Sequence, residues 1–456
     1  MHADIIFDLA VEKIREDFGD FFGTVFQVLI IQRGCTIYEL NKIIPNIDYN
    51  MLRFTLFFLF NHDVIFLDKI NEKKNDDKIS IQTVKIFANI YTPIYRIRFP
   101  RFLCIIEKEF GNIGREILKF FFEYGQIIPS RIVQELKKTK TWETWQLEDS
   151  LINLARDNYI ERLIISEFCE VEHFSYIKKR SSFNETNFYK PICHNKNFLW
   201  KVSYPKLNSI LKINMAICIS EDYFSNELKS SIKSSFCRIS GNCVKNILLN
   251  WFSIDTLIDY TKESIDEVIN DELFIIVLIE NYSPNQFILE MKNGLCYFRL
   301  ENILDISRQK IIESFAANQF GKKLFRVFKT LNSCKAIDED QIAQECIVDK
   351  KSIRKIIYQM YRMSFVFLDE KNRYDISVSS KSVLFWKLNA DIMLKKTLFE
   401  IYKTMYNILV RLEDLKINLR KKNNLIKPNI KNVNLSQIDI LRMSIFRLDE
   451  MLTLLE

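Results

Sequence analysis

The chain has 456 residues, and its 65 lysines and arginines against 58 aspartates and glutamates leave a formal charge of +7, too small a surplus to demand nucleic acid or an acidic partner without local clusters. The length suggests about three or more units at roughly 150 residues each, while nine glycines and eight prolines are few for doubly wound sheets or β-sandwiches and favour helices joined by short polar loops. Ten scattered cysteines without a CxxC pair and four dispersed histidines argue against a metal site or disulfide framework, and no apolar run reaches the ~20 residues of a bilayer span, so the expectation is a soluble intracellular protein without cofactor, metal or membrane contact.

Taken in chain order, the elements repeat. "FG" recurs at Phe18, Phe110 and Phe320, and "FGDFFGTVFQVLIIQRGCTIYELNKII" aligns with "FGNIGREILKFFFEYGQIIPSRIVQEL" and "FGKKLFRVFKTLNSCKAIDEDQIAQEC". Each copy predicts an apolar-striped helix, a polar or glycine break and a shorter second helix. Thr36 with Glu39, and Asp338 with Gln341, have capping-box spacing at the second helix; the middle copy lacks one. A third helix follows, in "DYNMLRFTLFFLFNH", "TWQLEDSLINLARDN" and "DKKSIRKIIYQMYRM", and then a short strand from Val64, Tyr159 or Phe365. Three helices closed by a β-hairpin is the winged-helix plan.

The expected fold class is mainly α with small β-hairpins, as four tandem winged helices and a C-terminal antiparallel coiled coil. The expected boundaries are 1–85, 86–175, a linker 176–200, a divergent third unit 201–305, a fourth at 306–385 and the helical hairpin at 386–456. "NEKKNDDKIS" from Asn71 is expected as the exposed first wing. In the third unit "KESIDEVINDELFIIVLIEN" would be the last helix, and Asn293-Gly294 marks a two-residue hairpin. Leu394, Leu398, Ile401, Met405, Ile408, Leu412, Leu415 and Leu419, then Ile438 to Leu455, step by three and four. Both a packed helix pair and a protruding arm fit that stripe.

The candidate surfaces follow from residue chemistry. Gly111-x-x-Gly114 could cradle phosphate, but only its first glycine recurs in all copies, which favours a turn at a helix start. Arg96, Arg98 and Arg101, in a segment expected to be extended, are DNA-contact candidates; the favoured alternative is a β-edge or connector whose arginines pair with neighbouring acids such as Glu107 and Glu109. Base edges and phosphates select for basic donors on the third helix. Only the last copy supplies them, as Lys350, Lys351, Arg354, Lys355 and Arg362, whereas Glu148 and Asp149, and Asp266, Glu267 and Asp271, should repel phosphate. Phe54, Phe57 and Phe58 crowd the first copy's third helix and are protein-docking candidates, as are Leu398, Ile401, Met405 and Leu412 with the basic turn at Lys421 and Lys422. There is no P-loop, G-x-S-x-G, HExxH or acid-rich metal motif, so an enzyme is not expected.

This order of parts resembles the large winged-helix subunit of the heterotrimer specific to eukaryotic RNA polymerase III. The residues that carry the resemblance run from "FGTVFQVLIIQRGCTIYEL" through "YRIRFPRFLCIIEKEFGNIGREIL" and "FGKKLFRVFKTL" to "FRLDEMLTLLE". The resemblance implies a nuclear, non-catalytic polymerase subunit on the clamp of the largest subunit. Its partners would be a second winged-helix subunit, a small acidic subunit, promoter DNA and an initiation factor, and its role would be promoter recruitment and DNA opening for small structured RNAs such as tRNA and 5S rRNA. A helical-repeat scaffold with one terminal wing, of the proteasome-lid or translation-initiation type, and a winged-helix DNA-binding regulator are the alternatives.

Overall fold

A computed structural model describes residues 2–44, 48–73, 80–140, 142–164, 198–221, 252–253, 289–292, 295–298, 300–334, 337–370, 384–422 and 428–456. Two compact units divide the chain: Met1–Val268 with Lys403–Asp449, and Ile269–Tyr402 with Glu450–Glu456. The first holds two copies of the repeat and the second holds the last.

In the first unit, α1 (His2–Phe18), α2 (Asp20–Ile31), α3 (Ile37–Ile43) and α4 (Tyr49–Asn61) lead into β1 (Ile65–Lys73) and β2 (Ser80–Ala88). The second copy runs α5 (Tyr91–Ile97), α6 (Phe99–Tyr124), α7 (Pro129–Thr139), α8 (Thr144–Arg156), β3 (Ile160–Ile164) and β4 (Phe198–Val202), followed by α9 (Tyr204–Glu221) and β5 (Phe252–Ser253). The second unit holds the β6 (Leu289–Lys292) and β7 (Leu295–Phe298) hairpin, then α10 (Leu300–Ser333), α11 (Glu339–Cys346), α12 (Lys350–Arg362), β8 (Val366–Glu370) and β9 (Leu384–Leu388). Two long helices, α13 (Ala390–Lys422) and α14 (Pro428–Leu455), carry residues of both units.

Backbone conformation explains why "FG" recurs. Gly19, Gly111 and Gly321 have φ of 105°, 69° and 74° with extended ψ, and each separates a leading helical segment from the first helix of the triplet. L side chains rarely adopt such angles, so glycine marks the joint. No atom lies within 4 Å of a Cβ built at these three positions; the constraint is torsional, not spatial. The phosphate-loop alternative for Gly111-x-x-Gly114 thus gives way to a helix break.

The rest of each copy is wired alike. Thr36 and Glu39 form both bonds of a capping box, Asp338 accepts from the Gln341 amide, and the middle copy starts instead on Pro129, whose missing N–H costs nothing in a first turn. After the third helix, Asp63, Asn158 and Ser364 take φ of 55°, 61° and 61°. The next amides, of Val64, Tyr159 and Phe365, bond back to the carbonyls of Leu59, Leu154 and Met360. One residue ahead of the second helix's cap, Cys35, Ile127 and Ile337 bridge to Ile86, Trp200 and Trp386 in the returning strands. Separate cores surround Phe26, Leu29 and Leu59 in the first copy and Phe328, Ile353 and Trp386 in the last.

Several boundaries move. β4 pairs with β3 from Ile160↔Val202 to Ile164↔Phe198, so the end of the expected linker 176–200 is the return strand of the second wing. A strand finds its partner through backbone hydrogen bonds, and no local pattern announces one so far along the chain. The first hairpin runs to Ala88 and the last to Leu388, past the expected 85 and 385, and β1 and β2 extend into the stretch from Asn71 expected as the first wing. In the divergent unit Lys292 pairs with Leu295, the register a two-residue connection requires. Asn293 and Gly294, the helix expected from Lys262, and residues 176–197 lie outside the described residues.

The C-terminal helices pack instead of protruding. In the first unit Lys416 of α13 pairs with Glu16 of α1 at 2.7 Å, and Asp449 of α14 meets Arg98 beside α6. In the second, Tyr402 of α13 donates to Glu456 just beyond α14 at 2.9 Å.

Candidate docking and nucleic-acid surfaces

The third helices α4, α8 and α12 are each 13 residues long and align in register without a gap. Their inner faces match: Leu52, Leu147 and Ile353, then Leu56, Leu151 and Ile357, then Leu59, Leu154 and Met360 are buried in turn. At the outward stripe, spaced four, three and four residues, the copies differ. α4 presents Asn50, Phe54, Phe57 and Asn61; α8 presents Trp145, Asp149, Ile152 and Arg156; α12 presents Lys351, Lys355, Tyr358 and Arg362. One scaffold thus carries an apolar, a mixed and a basic face.

On α12 the five candidate cations divide. Lys350 and Arg354 lie on the edge toward α11, where Lys350 pairs with Asp340, and Arg354 pairs with Glu339 at 2.8 Å. Their charge is largely answered within the helix-turn-helix. Lys351, Lys355 and Arg362 are exposed on the other edge, with Tyr358 between them. Tyr358 and Tyr361 meet Trp386 edge-on, with ring centroids 6.3 and 6.0 Å away, which orients both phenols at the surface. The stripe can meet phosphates spaced along a backbone. Tyr358 was overlooked by reading charge alone; the shared 13-residue register reveals it.

On α4, Phe54 and Phe57 are 57 % and 64 % exposed, next to exposed Tyr49 and Met51. Phe58 is different. Its ring lies 5.0 Å from Phe18, 5.2 Å from Phe22 and 4.6 Å from His62, so it belongs to the unit's own packing and not to a docking face. Burial, followed by the Arg96 charge, holds the His62 imidazole down to about 4 despite Asp17.

The arginine row is not a phosphate grip. The segment is helical, not extended: Arg96 lies in the last turn of α5, and Phe99, Pro100 and Arg101 form the first turn of α6, where proline is tolerated. Arg96 pairs with Asp17 at 2.6 Å over the ring of Phe18. Arg98 is 1 % exposed and donates to Asp449 at 2.9 Å and to Asn208 at 3.0 Å. Arg101 reaches the second oxygen of Asp449 at 3.2 Å and donates to the Phe446 carbonyl. All three serve internal carboxylates, because a buried guanidinium must be paired. The expected β-edge or connector is instead helical, and the arginines pair with Asp17 and Asp449 and not with the neighbouring acids: Glu107 pairs with Arg115, and Glu109 accepts from Tyr159.

The helical-hairpin candidates are likewise internal. Ile401, Met405 and Leu412 are buried and Leu398 is half-buried, so the stripe is covered by the chain itself. Lys421 and Lys422 end α13, and their side chains lie outside the described residues. Glu16 is held to about 2: burial opposes its ionisation, and Lys13 and Lys416 overcome it. Along α6 an open groove of about 460 Å³ is lined by Phe99, Leu103, Cys104, Lys119 and Phe122, and its guanidinium groups, Arg96 and Arg115, are ion-paired. Among the described residues no group of three or more His, Cys, Asp or Glu could hold a metal, and no helix is long and apolar enough to cross a membrane.

Comparison with known proteins places a winged-helix domain at the last copy. Residues 312–388 match the family described as POLR3C, C-terminal winged-helix domain. The chain is 24 % identical over 172 residues to the DNA-directed RNA polymerase III subunit rpc3 of Dictyostelium discoideum, covering 35 % of this chain and 26 % of that protein. It is 23 % identical over 148 residues to the RPC3 subunit of Scheffersomyces stipitis, covering 32 % and 25 %. The matches thus span about a quarter of the length of these relatives, and they support a POLR3C-like subunit of RNA polymerase III.

Proposed function

We propose that the chain is a non-catalytic, nuclear subunit of DNA-directed RNA polymerase III, built from four tandem winged helices and a C-terminal helical hairpin. It sits with the initiation heterotrimer on the clamp of the largest subunit and supports promoter recruitment and DNA opening for genes of small structured RNAs. One observation carries the reading: a triplet of helices and a hairpin recurs with equivalent hydrogen bonds, and its last copy matches the polymerase-subunit domain. A stacked helical scaffold needs one terminal wing, whereas here hairpins close three described triplets. A sequence-specific regulator needs basic reading helices throughout, whereas among the described third helices only α12 is basic.

The division of faces gives the roles. The apolar stripe of α4, Phe54 and Phe57, docks on a partner such as the second winged-helix subunit, and the basic stripe of α12, Lys351, Lys355 and Arg362, faces promoter DNA. Purification of the tagged protein from its own cells, with identification of its companions, is the test. RNA polymerase III subunits are expected to co-purify, and their absence would overturn the proposal.

A further inference from the structure

The third helices share a fitting at their C-terminal ends. The last carbonyls of an α-helix lack partners within it and form the negative pole of its dipole, so a cation is favourable there. In each described copy that cation comes from the helix after the wing. In the first it is Arg96 of α5, whose charge helps to lower the pKa of His62, the C-cap of α4. In the second it is Lys206 of α9, which lies 5.6 Å from the ring of Tyr159 and favours the ionised form of Asp157, the C-cap of α8. In the last it is Lys396 of α13, which donates to the carbonyl of Met363, the C-cap of α12, and lies 4.2 Å from the ring of Phe365.

The match is positional. Just past the returning strands, Asn89, Ser203 and Asn389 donate their backbone N–H to the carbonyls of Val64, Tyr159 and Phe365. Arg96 and Lys396 each lie seven residues beyond that anchor, and Lys206 lies three beyond it, one turn earlier on the same helix face.

The copies differ in what else answers the cation. Arg96 has Asp17 at 2.6 Å, and Lys206 acts on the carboxylates of Glu109 and Asp157. Lys396 has no carboxylate partner among the described residues. Burial lowers its pKa, and the Met363 carbonyl and the Phe365 ring are what hold the ammonium in place. Its grip falls next to the turn that carries exposed Tyr361 and Arg362, the C-terminal end of the basic stripe.

We propose that Lys396 is a positioning residue: reaching from α13, it fixes the last turn of α12 and with it the Arg362 end of the stripe. The inference rests on the reading of that stripe as facing nucleic acid.

Hydrogen exchange of the full chain, followed by mass spectrometry, tests the grip. Lys396→Met keeps an unbranched stem and removes the donor. Exchange where Ser364 and Phe365 donate to the carbonyls of Tyr361 and Met360 should quicken about fivefold, the scale of a cation at a helix end. The thermal midpoint should stay within about 2 °C because the stem still packs. Lys396→Arg, which keeps a cationic donor, should restore wild-type exchange. Anisotropy of a fluorescein-labelled DNA duplex gives the second readout: Lys396→Met should weaken binding about threefold and lower the salt slope by about one, the share of one phosphate contact at Arg362. Unchanged exchange at the end of α12 would overturn the proposal. So would a rise spread evenly over α10, α11 and β9 with a lowered midpoint, which would make Lys396 a core-packing residue. Faster exchange with unaltered binding, where Lys351→Glu with Lys355→Glu abolishes binding, would overturn it as well, since the stripe would then work without the grip. If Lys351→Glu with Lys355→Glu leaves binding intact, the nucleic-acid reading of the stripe fails instead, and exchange alone decides the grip.

Discussion

Arg98 donates its Nε–H to Oδ1 of Asp449 across 2.9 Å, with 1 % and 0 % of the two side chains exposed, although 350 residues separate them in the chain. Arg101 takes the other carboxylate oxygen and Asn208 accepts from Arg98, so one buried acid clasps α14 to the start of α6 and to α9. Asp449→Asn preserves volume and strands two guanidiniums. It should destabilise the first unit by about 3 kcal/mol, the cost of breaking a buried pair from one side. Hydrogen exchange should rise in α14 and α6 peptides and stay unchanged in β8 and β9. Native protection in α14 would show that the clasp is dispensable.

The two edges of α12 provide a paired test of the basic stripe. Lys351→Glu with Lys355→Glu should reduce affinity for promoter DNA at least about tenfold and lower the salt slope by about two, because two phosphate contacts are lost. Lys350→Glu with Arg354→Glu, which alters cations already paired to Asp340 and Glu339, should have a much smaller effect. Equal losses from both pairs would return all the cations to one undifferentiated patch.

Phe54 and Phe57 should separate from Phe58 in the same spirit. Phe57→Ser with Phe54→Ser removes exposed apolar area and should leave the thermal midpoint within about 2 °C, since surface changes away from special features cost little, while recovery of partner subunits falls. Phe58→Ala, which empties a cluster with Phe18, Phe22 and His62, should cost about 3 kcal/mol. Unimpaired partner recovery with the double serine variant would place docking elsewhere.

His62 predicts acid sensitivity. Its folded value near 4 lies below the ordinary 6.5, so between these pH values the unfolded chain takes up a proton that the folded chain refuses. Stability is therefore full above about 6.5 and falls as pH drops toward 4, by about 3 kcal/mol in all. His62→Phe, apolar and of similar size, should flatten that limb in a pH series of thermal melts. A slope identical to wild type would assign the acid limb to other groups.

Gly111→Ala tests the joint. A methyl group has room there, so any loss is torsional, about 1 to 3 kcal/mol for a non-glycine residue held in that region. A variant as stable as wild type in urea would mean that the joint relaxes.

Local physics made much of this architecture legible. The breaks at Gly19, Gly111 and Gly321, the caps at Thr36 and Asp338 and the 3.6-residue stripes of the third helices depend on neighbours within a few positions. Such features repeat visibly when a chain repeats them. The apolar character of α4 and the basic character of α12 were equally readable, being properties of composition at known spacing.

What the chain alone left open depended on partners far away in it. That Arg98 meets Asp449 and Arg96 meets Asp17, that Trp200 bridges Ile127, and that Lys350 and Arg354 are ion-paired while Lys351 and Lys355 have no ion pair among the described residues, are facts of three-dimensional proximity. Charge and apolarity are written into a residue, but whether they face water or a partner is decided only when the chain folds back on itself, because burial and pairing are properties of neighbours in space.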